Sequence, residues 1–258
     1  MAIHSDHIKQ NLDILNEQVK ITMHDNDYLI YVDDHMNGLK FNKKLGEGME
    51  AAVYEVIDQI HGICAIKMIP WKTCECLVEK SSFQRESEMS KKMGFLGIGP
   101  LVYKTWIGKG YDNQKIAEPH LSNKHDIARE VDIGFILMEK MEYKLNVDNS
   151  ADLNYEPDVH HCIRLHSTKI LNAVIGHLTM LRDHGLQHDD LGWFGNNIML
   201  NLDNDGIPCK IRLIDFGMMK SSFDYNFDHY IKRLGKNISY DLQNKTREPV
   251  LTHTLKNK

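Results

Sequence analysis

The sequence predicts a mixed α+β fold in two lobes, strand-rich to about residue 145 and helical after it. Three observations carry that expectation. Short apolar runs bounded by turn residues recur between Leu39 and Glu139, at strand length. Within that half one stretch, Phe83 to Met93, reads as a helix. Beyond it, Ile170, Leu171, Val174, Ile175, Leu178 and Leu181 repeat at the three-four spacing of a helix with one apolar side. The expected division is an extension over 1–38, a β-rich lobe over 39–145 and a mainly helical lobe over 146–258. A chain of 258 residues accommodates two such lobes, and 42% hydrophobic residues supply a core for them.

Each element has a local reason. Ser5 can cap a helix over 5–20, with Ile8, Leu12, Leu15 and Val19 on one side. Tyr28 to Val32 reads as a strand, and Asn37-Gly38 as a turn before a strand starting at Leu39-Lys40-Phe41. Ala52 to Ile57 and Ile63 to Ile69 are strands separated by Asp58 to Gly62. Gly97-Ile98-Gly99-Pro100 ends the Phe83–Met93 helix. Val102 to Ile107 and Gly134 to Glu139 are strands, and the long polar stretch 108–132 reads as a surface insertion. Ser167 can cap a helix that runs to His184, with Gly185 at its C-terminal cap. Ile198 to Asn201 and Lys210 to Ile214 are short strands, joined by a tight turn at Asn204-Asp205-Gly206.

Composition excludes several functions. A net charge of −5 gives no global basic field for nucleic acid or anionic membrane. No apolar run is long enough to span a bilayer, and Met1 to Lys20 lacks the apolar centre of a signal peptide. The expected location is therefore cytoplasmic. The five cysteines, at 64, 74, 76, 162 and 209, are odd in number and unpaired in spacing, which argues against a disulfide framework. Cys74-Glu75-Cys76 has no second pair nearby to complete a zinc site. His160, His161 and His166 lack the spacing of a metal-binding helix. Asn201 to Gly206 resembles the start of a calcium loop, but its twelfth position is Arg212.

The chemistry lies in five short pieces. Leu45-Gly46-Glu47-Gly48 precedes Val53, and glycines in a turn let backbone N–H groups approach phosphate oxygens. Gly46 and Gly48 fit that role; Ala51 stands where a third glycine would complete the pattern, and Val53 would cover a purine. Lys67 ends Cys64-Ala65-Ile66-Lys67 on an apolar strand, where a charge needs a partner unless it snorkels to water. Glu86 supplies that partner, with Met89 and Met93 on roughly its side of the helix to turn it inward; Glu88 lies on another side. The pair would clamp the α- and β-phosphates. In His188-Asp189-Asp190-Leu191-Gly192-Trp193-Phe194-Gly195-Asn196-Asn197, Asp190 can accept the proton of an attacking hydroxyl. Asn197 offers an amide oxygen to magnesium. Asp215, in Leu213-Ile214-Asp215-Phe216-Gly217, can hold a metal under a triphosphate from the end of a strand.

In this order the pieces resemble the protein-kinase superfamily over residues 39 to 220. The resemblance implies a two-lobed protein-kinase-like fold with Mg–ATP in the cleft between the lobes, cofactors ATP and Mg2+, and transfer to a protein serine or threonine. Lys67 and Glu86 look like its small-lobe ion pair, Asp190 like its catalytic-loop base, and Asn197 and Asp215 like its metal ligands. Ile136 to Met141 looks like the strand into the hinge. Met138 would guard the back of the adenine pocket, Ala65 would line it, and the backbone of Glu139 and Met141 would bond the adenine edge.

Departures from the pattern qualify what it implies. Asp190 to Asn197 is seven positions where the family has five, so either two residues are inserted around Gly192-Trp193-Phe194 or Asn196 is the ligand; Asn197 is preferred because it abuts the next strand. Asp189 replaces the arginine that can pair with a phosphorylated activation loop. Gly192 stands where serine/threonine kinases carry lysine. No Ala-Pro-Glu follows Gly217, and the 41 residues after it (258 − 217) are few for the usual large-lobe helices. The chain thus looks like the reduced kinases found among large DNA viruses, secreted bacterial effectors and small atypical kinases; a viral or secreted effector would act in a host cytosol. An activating partner protein could brace the truncated lobe, or the Ile8-Leu12-Leu15-Val19 side could do so in cis. Two rival readings stay open: a small-molecule kinase of the aminoglycoside or choline type, and a pseudokinase that acts by docking a partner.

Overall fold

The computed structural model describes residues 19–23, 26–30, 35–48, 51–72, 76–112, 129–145, 157–188, 190–191, 197–221, 227, 231–232 and 235–236. The chain is a mixed α+β protein, sheet-rich with few helices among these residues. It divides into two compact units, one of residues 1–91 with 101–140 and one of 92–100 with 141–258.

The first unit is built on a seven-stranded antiparallel sheet. Its strands are β1 (Val19–Met23), β2 (Asn26–Ile30), β3 (Leu39–Glu47), β4 (Ala52–Asp58), β5 (Gly62–Lys72), β6 (Val102–Asp112) and β7 (Arg129–Glu139), in the order β1-β2-β6-β7-β5-β4-β3. Alternation explains its two faces. Ala52, Tyr54 and Val56 of β4, Cys64, Ile66 and Met68 of β5, Trp106 of β6, and Val131, Ile133, Phe135 and Leu137 of β7 form one buried cluster. The intervening residues Ile69, Trp71, Ile136 and Met138 pack with Phe83 of helix α1 (Cys76–Phe95). Strand β7 is thus apolar on both faces, which is why its sequence reads as a continuous hydrophobic run.

Several boundaries differ from the sequence expectation. Of the helix expected over 5–20, residues 5–18 lie outside the described residues, and Val19 and Lys20 open strand β1, where Val19 pairs with Ile30. Cross-strand pairing there wins over the helical period, and β2 then joins the sheet through Tyr28 opposite Asp112. The stretch 108–132 is not simply an insertion. Gly108 to Asp112 continue β6 and Arg129 to Asp132 begin β7, paired from Gly108–Ile133 to Asp112–Arg129. The ladder with β7, joined by β2 from Gly110 onward, overrides the weak strand propensity of Gly108 and Gly110. Helix α1 starts at Cys76, seven residues before Phe83.

The second unit holds β8 (Tyr143–Lys144), α2 (Pro157–Leu165), α3 (Ser167–Asp183), β9 (Leu186–His188), β10 (Ile198–Leu202), β11 (Pro208–Leu213), a 3-10 turn (Phe216–Met218) and β12 (Met219–Ser221). Strands β11, β10 and β8 form one sheet and β12 and β9 another. Helix α3 buries Ile170, Val174, Leu178 and Leu181, the core of the expected apolar side. Its N-cap is His166, without a side-chain hydrogen bond, so Ser167 is the first helical residue rather than the cap. Gly185, at φ 66°, closes the helix with its N–H donating to Arg182. The turn between β10 and β11 is organised by Asp203, whose Oδ1 accepts from the backbone N–H of Asp205 and Ile207. That is an Asx turn.

His177 ties α3 to β11 by donating from Nε2 to the Ile211 carbonyl at 2.9 Å. Burial pulls its pKa below the ordinary 6.5, with Arg212 adding to the effect against the Ile211 hydrogen bond. The unfolded chain therefore takes up this proton first, and stability falls as pH drops through about 6.5. Thermal unfolding followed between pH 7.5 and 5.5 should show a shallower pH slope for His177→Gln, which donates the same bond without titrating. An identical slope in both would remove His177 as the cause.

Candidate functional site

In the first unit, Lys67 and Glu86 meet. Lys67 Nζ donates to Glu86 Oε1 at 2.5 Å, and the two side chains are 15% and 13% exposed. The lysine points to the α1 side because β5 alternates: Cys64, Ile66 and Met68 take the other face. On the helix, Met93 is buried, Met89 half-buried and Glu88 exposed. A pair this enclosed needs good geometry to offset desolvation.

The surrounding strands carry the residues expected to hold a nucleotide. Val53 lies opposite Lys67, Ala65 opposite Met138, and Gly46 opposite Val53. A Cβ added at Gly46 would meet nothing within 4 Å, and its φ is not left-handed, so neither packing nor backbone demands glycine there. Gly48 differs from expectation, because its N–H already donates to Ala51 at 2.8 Å. Glu139 does too: its N–H is spent on Leu101 at 2.8 Å. Met141 is buried and belongs to the second unit.

A buried network beside Ala65 was not anticipated. Glu55, 5% exposed, lies opposite Ala65, pairs with Lys140 at 2.8 Å and accepts from Asn42 Nδ2 at 2.5 Å. The Lys140 hydrogen bond, helped by Asn42, holds its carboxyl below the usual range despite burial. A glutamate inside the apolar run Ala52–Ile57 was the available signal, by the same reasoning that singled out Lys67.

In the second unit, a side-chain contact joins Asn197 to Asp190, and backbone pairing sets Asn197 against the strand end that leads into Asp215. Asn197, 8% exposed, donates from Nδ2 to the Asp190 carbonyl at 2.5 Å and to Asp190 Oδ2 at 3.1 Å. The Ile214 N–H donates to the Asn197 carbonyl at 2.9 Å, which places Asp215 one residue beyond Asn197's cross-strand partner. Asp190 and Asp215 are both exposed. Asp215 has φ 65°, the one left-handed residue other than glycine among the described residues. Such a conformation costs energy and persists where its surroundings impose it. Asp189, Gly192, Trp193, Phe194 and Asn196 lie outside the described residues.

His188 and Phe216 brace the chain on either side of Asp215. His188, 2% exposed, donates from Nε2 to the Ile214 carbonyl at 2.8 Å and accepts the Asp190 N–H on Nδ1 at 3.3 Å. One ring thus ties the backbone before Asp215 to that of Asp190. Phe216 packs edge-on against it, with centroids 5.5 Å apart. Met219 of β12 pairs with His188 of β9, closing the same connection. The sequence reading gave His188 no role, although a histidine two residues before an acid was visible.

These oxygens form a hard donor set. With its nitrogen donated to Asp190, the Asn197 side chain offers its amide oxygen to a cation, and the Asp215 carboxylate follows one residue after Asn197's cross-strand partner. That suits Mg2+, which takes few protein ligands and completes its shell with water and phosphate. Among the described residues no group of three or more His, Cys, Asp or Glu assembles, so a dedicated protein cage is not what the described part of the chain offers. No described helix is long and apolar enough to cross a membrane. No model of a known protein family matches the chain, and no curated protein matches it.

Proposed function

We propose that the chain is a two-lobed, protein-kinase-like phosphotransferase that uses Mg–ATP and transfers the γ-phosphoryl group to a protein serine or threonine. The observation that carries this reading is the Asp190–Asn197–Asp215 arrangement, in which a seven-position spacing still brings the amide onto the acid. The Lys67–Glu86 pair supports it independently.

In this reading Lys67, held by Glu86, neutralises the α- and β-phosphates, and Val53 and Ala65 enclose the purine. Asn197 and Asp215 would hold a magnesium ion, whose charge would offset that of the phosphates. Asp190 takes the proton of the acceptor hydroxyl as its oxygen bonds to the γ-phosphorus and the bond to the β-phosphate oxygen breaks, releasing ADP. Positioning and charge stabilisation supply most of the rate. With Asp189 in place of the arginine that would pair with a phosphorylated loop, the enzyme is active as made or through a partner.

The test is incubation of the purified protein with labelled Mg–ATP, read as label transferred to itself, to generic protein acceptors and to small hydroxyl compounds, alongside its melting temperature. The expected result is transfer to protein and stabilisation by about 2.7 kcal/mol at a hundredfold excess over Kd. Transfer to small acceptors alone would favour a small-molecule kinase. Stabilisation without transfer would favour a docking module. Neither effect would end the reading.

A further inference from the structure

We propose that Gly134 is a positioning residue for the Lys67–Glu86 pair: by carrying no side chain it lets Phe83 seat on β7, and that seat sets where Glu86 stands. The consequence for phosphoryl transfer rests on the function proposed above; the geometry does not.

Gly134 sits inside β7, between Ile69 of β5 and Ile107 of β6. Its φ is not left-handed, so its backbone does not call for glycine. A glycine there weakens a strand and usually marks a close approach. The approach is Phe83. A Cβ at 134 would stand 2.3, 2.5 and 2.7 Å from Cδ2, Cε2 and Cγ of that ring, where real Cβ contacts essentially never fall under 3.0 Å. Because Cγ is among the three, turning the ring does not relieve the clash; the ring and the helix turn that bears it must retreat. Ordinary contact starts at 3.4 Å, so the retreat is about 1 Å.

The seat and the ion pair are one step apart on the same ladder. Gly134 opposes Ile69, and Ile136 opposes Lys67. Phe83 precedes Glu86 by three residues, so both project from one side of α1. Two strand residues cover about 6.6 Å and three helical residues about 4.5 Å, close enough for the two contacts to share one turn of helix. Trp71 walls the seat from the other side, its ring centroid 5.6 Å from that of Phe83. Phe83 is 4% exposed, so any retreat of its ring disturbs that packing. A shift of about 1 Å takes a 2.5 Å hydrogen bond beyond normal length.

The experiment compares wild type, Gly134→Ala, Phe83→Leu and the double variant. It has two readouts, taken well below each melting transition. The first is labelling of Lys67 by an amine-reactive reagent, followed by mass spectrometry. It needs no enzymatic activity. Gly134→Ala should expose Lys67 to labelling, and the smaller, more pliable Leu at 83 should return it most of the way to wild type. The second is kcat and KM for Mg–ATP, where Gly134→Ala should lose about a hundredfold in kcat/KM, regained in the double variant. Unchanged Lys67 labelling in folded Gly134→Ala overturns the proposal, as does a double variant no better than the single. If Gly134→Ala does not fold, Phe83→Leu alone decides: the loosened seat should raise Lys67 labelling, and no rise overturns the idea. Altered labelling in a chain whose wild type shows no turnover leaves Gly134 in this role and removes the phosphotransferase reading instead.

Discussion

Asp190→Asn should reduce γ-phosphate transfer about a thousandfold while leaving the melting temperature close to wild type. Asparagine keeps an oxygen where Oδ2 accepts from Asn197 and leaves the backbone carbonyl contact at 2.5 Å intact, so the loop stays anchored. What it removes is the group that takes the proton. The loss should appear in kcat, with KM for Mg–ATP nearly unchanged, because Asp190 is not among the residues assigned to the nucleotide. Asn197→Asp is the informative companion. It sets a second carboxylate against Asp190, so it should destabilise the unit and make both activity and melting depend on added magnesium. Turnover in Asp190→Asn equal to wild type would remove Asp190 as the base and with it the central part of the mechanism.

The parts of this site that could be read from the sequence share a property: each is a polar residue stranded in an apolar setting. Lys67 on an apolar strand demanded an anion, and the helix that followed contained one carboxylate flanked at helical spacing by methionines. The same rule applied to Glu55 would have found Lys140, but Lys140 sits in no recognisable periodic element, and a pairing across a sheet leaves no mark in local spacing. Asn197 was legible because it abuts the apolar run Ile198-Met199-Leu200, which fixes where the strand must start. His188 escaped because its partners are backbone atoms of residues 190 and 214, brought close by β9, β10 and β12 together. Two of those three strands, β9 and β12, are three residues long, too short to leave a period.

Element boundaries fail for a related reason. Gly108-Lys109-Gly110 has poor strand propensity and no alternation, yet it is strand, because β7 supplies partners along its length and β2 joins at Gly110. Ser167 is a plausible cap by residue type, but α2 ends at Leu165, leaving His166 as the single residue between two helices and therefore as the cap. In each case a distant or adjoining element decides, and local preference, worth a few tenths of a kcal/mol to about 1 kcal/mol, is too small to resist it.

Lys67→Met should have two separable effects, and the separation tests what the ion pair is for. Removing the ammonium leaves Glu86, 13% exposed, without Lys67, and losing one partner of an enclosed pair costs on the order of 3 kcal/mol. The same variant removes the charge proposed to hold the α- and β-phosphates, so transfer should fall about a hundredfold or more. Adding Glu86→Gln removes the stranded carboxylate, and replacing both charges of such a pair is often close to neutral for stability. The double variant should therefore melt near wild type and remain inactive. If the pair were only a structural tie between α1 and β5, the double variant would recover activity along with stability. Chemical denaturation and labelled-phosphate transfer on wild type, the two single variants and the double distinguish the outcomes: activity that tracks stability across the cycle assigns Lys67 to the fold, whereas activity still lost in the double variant at restored stability assigns it to the phosphates.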